Sequence, residues 1–493
     1  MNTRVKILES SGLLIASRIA IQVMAFGRNV FIARILTPED YGLAATFWIA
    51  TGLVAAITEF GFEQRLIQMS DGDDERVGAV AQTLYFIRGM LIACILLLIS
   101  GTIARLFNAT EATWAFQLLA VLPLVGGLKH RDLDRSKRQL NFKPEVLTEF
   151  VSEFVITIIA LPVAFATRDY SCFLYLAIIK AALVVGLSHL IAERGFRLGW
   201  NRTIVANFLI FGWPLLVNSI MIYATSQGDR MILAMAYTKE ELGAYSIAIS
   251  LIMMIQSVPL TVTNQMAFPI LARSKDLIHD FISSFERYVF LVAQLAIFLV
   301  IGGWILGPML ISIVFGEAYA VGGTVVGLVA TAQAIRLVRG TPSMAAMSLG
   351  NTTNLMIANF WRQAGLLLMV VVAINHLSVQ WIAASAIVGE LCAGLCAALM
   401  LRRHVRLTVT YYFRAIILVL ATSLVAALMA HFLELYSNQI VIPILALALF
   451  TACEWILIRT LPASGRWFLD EIFKMVQILQ QRIIHTMQIW VKG

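Results

Sequence analysis

The sequence predicts an all-α integral membrane protein with about 14 transmembrane helices. Its 493 residues are 60% hydrophobic and 13% charged, and the mean hydropathy is +0.83, which is far from the composition of a soluble globular domain. The apolar residues form continuous runs long enough to cross a bilayer as helices, rather than the short alternating segments of a β-barrel. The predicted helices lie near residues 9–36, 41–68, 79–106, 112–128, 145–167, 170–192, 205–235, 241–270, 285–315, 321–348, 353–375, 379–402, 411–434 and 439–460.

The first predicted helix is expected to remain in the mature protein. Arg4 and Lys6 precede an apolar stretch, as they would in a signal peptide, but that stretch contains Arg18 and lacks a clear small-residue cleavage site. The five cysteines all fall in predicted helices, with neither a C-x-x-C motif nor metal-ligand spacing. No metal or other cofactor is therefore expected.

Most of the 37 Lys and Arg residues fall in one set of alternate loops. The positive-inside rule places these loops, and both termini, in the cytoplasm. Anionic membrane lipids and this insertion rule account for the net charge of +8, so nucleic acid is not an expected partner.

An internal repeat divides the chain into halves. At a fixed offset, "FGRNVFIARILTPEDYGLAA" (26–45) aligns with "QGDRMILAMAYTKEELGAYS" (227–246), and Gly27, Ala33, Thr37, Glu39 and Gly42 are identical to Gly228, Ala234, Thr238, Glu240 and Gly243. Both copies connect the first and second helices of a half, and an even number of helices separates them, which predicts a parallel repeat. Position 28 corresponds to 229, so the repeat sets Arg28 opposite Asp229.

The predicted organisation follows from this repeat. Residues 1–195 and 200–403 form two six-helix lobes, and residues 408–460 form two additional transmembrane helices. In the tail, at 463–493, apolar residues from Phe468 to Trp490 recur every three or four positions. This period is typical of an amphipathic helix on the inner leaflet, and a partner-binding helix is the alternative.

Ionisable side chains within the predicted helices mark candidate functional positions, because each costs about 2.5–3.5 kcal/mol to insert. The cations are Arg18, Arg28, Arg88, Lys180, Arg230, Arg336, Arg339 and Arg362, and the anions are Glu59, Glu149, Glu153, Asp229, Glu390 and Glu454. The excess of cations favours an anionic substrate, since guanidinium binds phosphate and carboxylate in bidentate geometry.

Helical spacing places polar residues on shared faces of the first, seventh and eighth helices, as expected where two lobes enclose water. The residues predicted to line this cavity are Arg18, Gln22, Arg28, Asn29, Arg88, Asn218, Asp229, Arg230, Asn264 and Arg362. Candidates for ion coupling are Glu59, Asp229 and Glu390.

Structural interpretations stand beside these. Polar stripes also arise from hydrogen bonds between packed helices. Arg88 and Glu59 could form a pair within one lobe, and Glu149 and Glu153 are expected to pair with Lys143 or Arg138. Arg336 and Arg339 would reach the lipid headgroups from the inner end of their helix.

The runs "ARILTPEDYGLAATFWIA" (33–50) and "EFGFEQRLIQ" (59–68) resemble the polysaccharide-transport (Wzx-type) flippases of the MATE-like MOP superfamily. In that family an acidic turn and an aromatic-Gly pair join the first two helices, and Gly61, Leu66, Ile67 and Gln68 match the segment that closes the second. "GDRMILAMAYTKEELGAYSIA" (228–248) matches the equivalent element of the second lobe, including Asp229 and Arg230.

The resemblance implies a multi-pass protein of the bacterial cell inner membrane. It would move an undecaprenyl-diphosphate-linked oligosaccharide from the cytoplasmic to the periplasmic leaflet by alternating access, for exopolysaccharide, capsule or O-antigen synthesis. A polysaccharide polymerase and a chain-length regulator are the implied protein partners.

Two other functions compete with this expectation. A multidrug or small-metabolite exporter of the same superfamily would favour acidic and aromatic cavity walls. A polysaccharide polymerase or lipid glycosyltransferase usually needs a long outer loop or an acidic catalytic motif, and the sequence contains neither. A non-enzymatic transporter is therefore expected.

Overall fold

The computed structural model describes residues 3–69, 71–139, 141–274, 277–319, 323–351, 353–405, 409–436, 448–453 and 456, with side chains from residue 17 onward. The side chains at 258–259, 261–262, 264–266, 269, 404–405 and 433–436 are excluded. Four predicted features lie outside the described residues: most of the helix near 439–460, the tail helix at 463–493, Glu454 and the side chain of Asn264.

Every regular element in the described residues is helical, which confirms the predicted fold class. The α-helices are α1 (Thr3–Ile35), α2 (Pro38–Ala56), α3 (Phe62–Gln68), α4 (Glu75–Leu106), α5 (Thr113–Leu118), α6 (Val121–Gly126), α7 (Asp132–Arg138), α8 (Lys143–Thr167), α9 (Ser171–Ile191), α10 (Arg202–Ala236), α11 (Lys239–Ser274), α12 (Ile278–Ile301), α13 (Gly307–Phe315), α14 (Gly323–Ser348), α15 (Thr353–Ile374), α16 (Val379–Val405) and α17 (Thr410–Tyr436). A π-helical segment, Gly302–Leu306, joins α12 to α13. Eight helical segments of the described chain are long and apolar enough to cross a membrane.

Two predicted helices are interrupted. The second divides into α2 and α3 at Gly61, whose φ of 60° is left-handed and favours glycine. The fourth divides into α5 and α6 because Pro123 has no N–H to bond the carbonyl of Leu119, which instead accepts from Leu122 N at 3.1 Å. Continuous hydropathy conceals both breaks.

The two repeat copies begin their second helices with the same N-cap. Thr37 Oγ1 accepts from Asp40 N at 3.1 Å, and Thr238 Oγ1 accepts from Glu241 N at 3.2 Å. Acidic side chains in the first turn also interact favourably with the helix dipole. The acidic turn therefore starts α2 and α11 in the same way.

These two helix starts also contact each other reciprocally through glycine. A Cβ at position 42 would lie 2.9 Å from the N of Gly243 and would overlap the carbonyl of Lys239. A Cβ at position 243 would lie 2.9 Å from the N of Gly42 and would overlap the carbonyl of Pro38. Because 38 and 239 are themselves equivalent repeat positions, this is the mutual contact that two-fold symmetry produces.

The chain divides into two compact units. Unit 1 comprises Met1–Ile247, Leu310–Ala320 and Met369–Val379; unit 2 comprises Ala248–Met309, Val321–Leu368 and Gln380–Gly493. These units do not follow the predicted lobes, whose boundaries stay a prediction.

Each unit has its own packed interior. In unit 1, α1 packs against α8 and α9 through a buried cluster that includes Ile32, Ile156 and Leu176. In unit 2, the indole of Trp304 lies against Gly327 and donates to Thr331 Oγ1 and Ser423 Oγ, each at 3.0 Å. The π-helical segment thus joins α14 and α17 around one buried tryptophan.

At one end of unit 1, which we term the basic end, α7 holds the connector, residues 192–201 between α9 and α10. Asp132 accepts from Arg135 Nε at 2.6 Å and from the backbone N of Glu193 at 2.8 Å. Burial opposes ionisation, but these bonds outweigh it and lower the pKa of Asp132. Arg135 also pairs with Glu193 at 2.6 Å. The carboxylates of Asp132 and Glu193 therefore join α7 to the connector.

Aromatic rings and α4 complete the docking of the connector. Phe196 packs against the rings of His130 and His189. The backbone N of Gly199 donates to Thr83 Oγ1 at 2.9 Å. Burial lowers the pKa of His130, and the neighbouring His189 lowers it further, so the packed ring is held in its neutral form.

The glycine contact predicts a stability difference between two Gly→Ala variants. Gly42→Ala is expected to cost about 2 kcal/mol, because its Cβ would force α2 away from α11. Gly101→Ala in α4 is the matched control, since a Cβ there meets no atom within 4 Å and alanine favours a helix. Thermal melting of the purified variants in detergent measures the difference. Equal melting temperatures for Gly42→Ala and the wild type would contradict the reciprocal contact.

Candidate functional site

A buried carboxylate on α8 pairs with cations from two other helices of unit 1. Glu153 is 1% exposed; its Oε1 bonds Arg28 Nη1 of α1, and its Oε2 lies 2.6 Å from Lys180 Nζ of α9. The side chain of Lys180 is about one-third exposed. Two cations share one anion, so this cluster, the Glu153 cluster, retains a net positive charge among apolar helices.

The Glu153 cluster corrects one prediction from the sequence. Glu153 was expected to pair with Lys143 or Arg138, but packing of α8 between α1 and α9 turns it towards Arg28 and Lys180. One turn earlier, Glu149 pairs with Lys129 at 3.6 Å. The predicted partners of Glu149, Lys143 or Arg138, are therefore wrong, although Lys129 lies in the same basic loop.

Arg88 and Glu59 form a one-to-one pair. Arg88 Nη2 lies 2.6 Å from Glu59 Oε2, and it also donates to the carbonyl of Ala55 at 3.2 Å. Glu59 Oε1 accepts from the N of Gly61 at 3.1 Å. This pair joins α4 to the break between α2 and α3 and agrees with the structural interpretation of the two residues.

Asp229 and Arg230, the charged pair of the second repeat copy, have uncharged partners. Asp229 Oδ2 accepts from the buried Tyr245 hydroxyl at 3.0 Å, and Arg230 Nη1 donates to Gln227 Oε1 at 3.2 Å. Within the described chain, neither has an oppositely charged side chain at ion-pair distance. The expected opposition of Arg28 and Asp229 is therefore not an ion pair in this structure.

The other candidates of unit 1 are more exposed. Arg18, Gln22 and Asn218 are exposed, and Asn29 is half-buried. Arg18 has no ion-pair partner among the described residues. That these side chains line a substrate cavity stays a prediction.

Unit 2 contains a second buried carboxylate shared by two arginines. Glu390 of α16, which is 3% exposed, lies 2.7 Å from Arg339 Nε of α14 and 2.6 Å from Arg362 Nε of α15. Helices α15 and α16 approach closely at this point: a Cβ at Gly389 would lie only 2.7 Å from the carbonyl oxygen of Arg362. The prediction that Arg339 reaches the headgroups is wrong, because Glu390 holds it in the interior. We term this set the Glu390 cluster.

Three residues at these positions are not predicted as site residues from the sequence. Lys180 belongs to the Glu153 cluster and Arg339 to the Glu390 cluster, whereas Tyr245 lies outside both and bonds Asp229. Their partners lie on other helices, so helical spacing alone does not identify them. An in-helix charge was the one available signal for Lys180 and Arg339.

A family model described as polysaccharide biosynthesis protein matches residues 31–322, which is more than half of the chain. The chain belongs to this polysaccharide biosynthesis family. The matched segment contains Glu153, Asp229, the second repeat copy and residues 31–45 of the first, and it confirms the resemblance found in the sequence.

Two relatives of this chain have names that refer to the cps region and to succinoglycan biosynthesis. An uncharacterised membrane protein in the cps region of Klebsiella pneumoniae is 18% identical over 69% of this chain and 70% of its own length. The succinoglycan biosynthesis transport protein ExoT of Rhizobium meliloti (strain 1021) is 24% identical over 62% of this chain and 61% of its own.

Solved structures share the fold of this family member. The lipid II flippase MurJ in an inward closed conformation has a TM-score of 0.64 and 10% identity, over 91% of this chain and 99% of MurJ. An inward-facing multidrug resistance MATE transporter of the MOP superfamily has a TM-score of 0.59 and 9% identity, over 80% of this chain and 98% of the transporter. At these identities the likeness establishes the fold alone.

The Glu153 cluster predicts opposite responses from two neighbouring glutamates. Glu153→Gln leaves Arg28 and Lys180 without their anion and is expected to cost about 3 kcal/mol, as breaking a buried ion pair does. Glu149→Gln, one turn away, removes only the 3.6 Å pair with Lys129 and should change stability by less than about 1 kcal/mol. Melting temperatures in detergent compare the two.

Adding Lys180→Met to Glu153→Gln provides a rescue test. The double variant removes one of the two unpaired cations and is expected to regain part of the lost stability. If Glu153→Gln has the same melting temperature as the wild type, Glu153 does not hold the three helices together.

Proposed function

We propose that this protein is a flippase that moves a polyprenyl-diphosphate-linked oligosaccharide from the cytoplasmic to the periplasmic leaflet. It would act without catalysis, in exopolysaccharide, capsule or O-antigen synthesis. Both termini and the basic end of unit 1 would face the cytoplasm, as the positive-inside rule predicts.

The excess of cations on helices of the membrane region is the observation that carries the proposal. Arg28 and Lys180 share Glu153, and Arg18 and Arg230 have no carboxylate partner among the described residues. A substrate phosphate can supply the missing negative charge without first breaking a matched ion pair. Guanidinium suits this role because it remains charged in apolar surroundings and binds phosphate through two parallel hydrogen bonds.

The relatives and the fold support the same substrate class. The family is described by polysaccharide biosynthesis, one relative is named as a transport protein of succinoglycan biosynthesis, and one structural neighbour is a lipid II flippase. A diphosphate-linked lipid would need both a cationic site and access from the membrane. The arginine and lysine side chains of this protein offer the first, and its transmembrane helices offer the second.

Alternating access is the proposed mechanism. The two predicted six-helix lobes would rock against each other, with α1, α2, α10 and α11 forming the cavity walls. The matched starts of α2 and α11 at Gly42 and Gly243 supply a common point about which such a motion can occur.

Arg28→Gln tests the role of the shared cation in transport. Lys180 remains to neutralise Glu153, so the protein should fold, while loss of a charge-assisted hydrogen bond to phosphate should lower polymer export about tenfold. Export is measured in a strain that lacks the native gene, at matched protein levels in the membrane, together with the lipid-linked oligosaccharide in the cytoplasmic leaflet. Arg18→Ala is expected to act in the same direction.

Arg105→Gln is the control, because that exposed arginine donates to the Gly101 carbonyl of its own helix. Wild-type export by both Arg28→Gln and Arg18→Ala would reject the cationic site. If deletion of the gene leaves lipid-linked oligosaccharide unchanged but sensitises cells to lipophilic drugs, the multidrug exporter is the correct alternative.

Asp229 is the proposed group for ion coupling, ahead of Glu59 and Glu390. Arginines neutralise the two glutamates, whereas the contacts of Asp229 within the described chain are hydrogen bonds from the Tyr245 hydroxyl and the Arg230 N. Asp229→Asn is expected to abolish the dependence of export on the proton or sodium gradient. Export by the wild type that is indifferent to collapse of both gradients would rule out coupling.

A further inference from the structure

An open cleft lies at the basic end of unit 1, between the first turns of α4, the start of α7 and the connector. Its cavity volume is about 80 Å³, enough for a phosphate-sized group. Its charged lining residues are Glu75, Arg131, Asp132, Arg135, Arg194 and Arg197. Four arginines therefore face two carboxylates around one cleft.

The arginines differ in how far their donors are occupied. Arg135 pairs with both Asp132 and Glu193 through Nε and Nη2. Arg194 donates to the carbonyl of Asp73 at 2.7 Å and has no ion-pair partner among the described residues. Arg197 meets Glu75 in a pair whose side chains are 73% and 60% exposed, which is a weak interaction in water.

Arg131 is held in a fixed orientation. Its guanidinium lies 3.3 Å from the centroid of the Tyr85 ring, and its one carboxylate contact among the described residues is Asp134 at 3.5 Å. Gln82 accepts from the N of Arg131 at 3.1 Å and donates to the carbonyl of Lys129, also at 3.1 Å, which fixes this turn against α4. The cleft thus has a positioned arginine on one wall and two arginines with spare donors on the other.

Apolar side chains beside the cleft indicate the source of the anion. Leu198 and Trp200 of the connector are 54% and 61% exposed. The backbone N of Gly199, between them, is tied to Ala79 and Thr83 at the first turns of α4. Exposed tryptophan beside arginine is typical of the level where lipid headgroups meet acyl chains.

We propose that this cleft binds the phosphate of an anionic phospholipid, with Arg131, Arg194 and Arg197 around the headgroup and Leu198 and Trp200 against the first acyl carbons. The lipid would bridge the connector to α4 and α7. The site lies apart from the Glu153 cluster and concerns a lipid that stabilises the protein rather than one that it transports.

Lipid-dependent melting tests this site. Purified protein in a neutral detergent is titrated with phosphatidylglycerol, with phosphatidylcholine of the same acyl chains, and with inorganic phosphate, while tryptophan fluorescence reports the melting temperature. Phosphatidylglycerol is expected to raise the melting temperature saturably, and the other two are not. A shift of equal size with inorganic phosphate would overturn the lipid as the source of the anion.

The double variant Arg194→Ala/Arg197→Ala is expected to raise the half-saturating phosphatidylglycerol concentration about 30-fold, since each arginine near an anionic headgroup contributes about a factor of five. Arg105→Ala/Arg168→Ala removes the same charge from exposed positions outside the cleft and should leave the titration unchanged. If both double variants weaken phosphatidylglycerol binding equally, the binding depends on net charge alone, and the proposed site is overturned.

Arg197→Ala alone keeps the test valid if the double variant fails to fold. Its exposed side chain contributes one weak ion pair, so the variant should fold and bind phosphatidylglycerol about fivefold more weakly. Wild-type binding by Arg197→Ala would contradict the proposed headgroup site, in which Arg197 contacts the phosphate.

Discussion

The cost of an ionised side chain among apolar helices is the constraint on which much of this structure depends. Glu153 and Glu390 each offset this cost by pairing with cations from two other helices. Such clusters specify which helices are neighbours, because a displaced helix would leave a charge without its partner. They also leave each cluster one positive charge in excess, which links the stability of the unit to the proposed affinity for phosphate.

The glycine contact acts at shorter range and for a different reason. Gly42 and Gly243 allow two helix starts to approach so closely that no side chain fits between them. Hydrogen-bonded caps at Thr37 and Thr238 fix the direction in which each helix leaves this point. Charge clusters therefore select neighbouring helices, whereas the glycine contact fixes the register of the two repeat copies.

Much of the fold could be predicted from the sequence, because bilayer thickness sets the length of an apolar helix and leaves a direct pattern. The breaks at Gly61 and Pro123 could not be read from hydropathy, since they depend on backbone hydrogen bonds within apolar runs. Helical periodicity selects a face but not the helix that packs on it. Arg28 and Glu153 are 125 residues apart, so their pairing required the tertiary structure, as did the burial of Arg339 against Glu390.

The reciprocal contact at Gly42 and Gly243 has the form of a homodimer interface contained in a single polypeptide. In a true homodimer, any substitution appears on both sides, so a favourable change on one face must be tolerated by its copy. A covalent link removes that restriction. Pro38 can face Gly243 while Lys239 faces Gly42, and Arg28 can be equivalent in position to Asp229. The two repeat copies can thus diverge in charge around their contact, and under the proposed function this difference would let the protein hold an asymmetric substrate in one orientation.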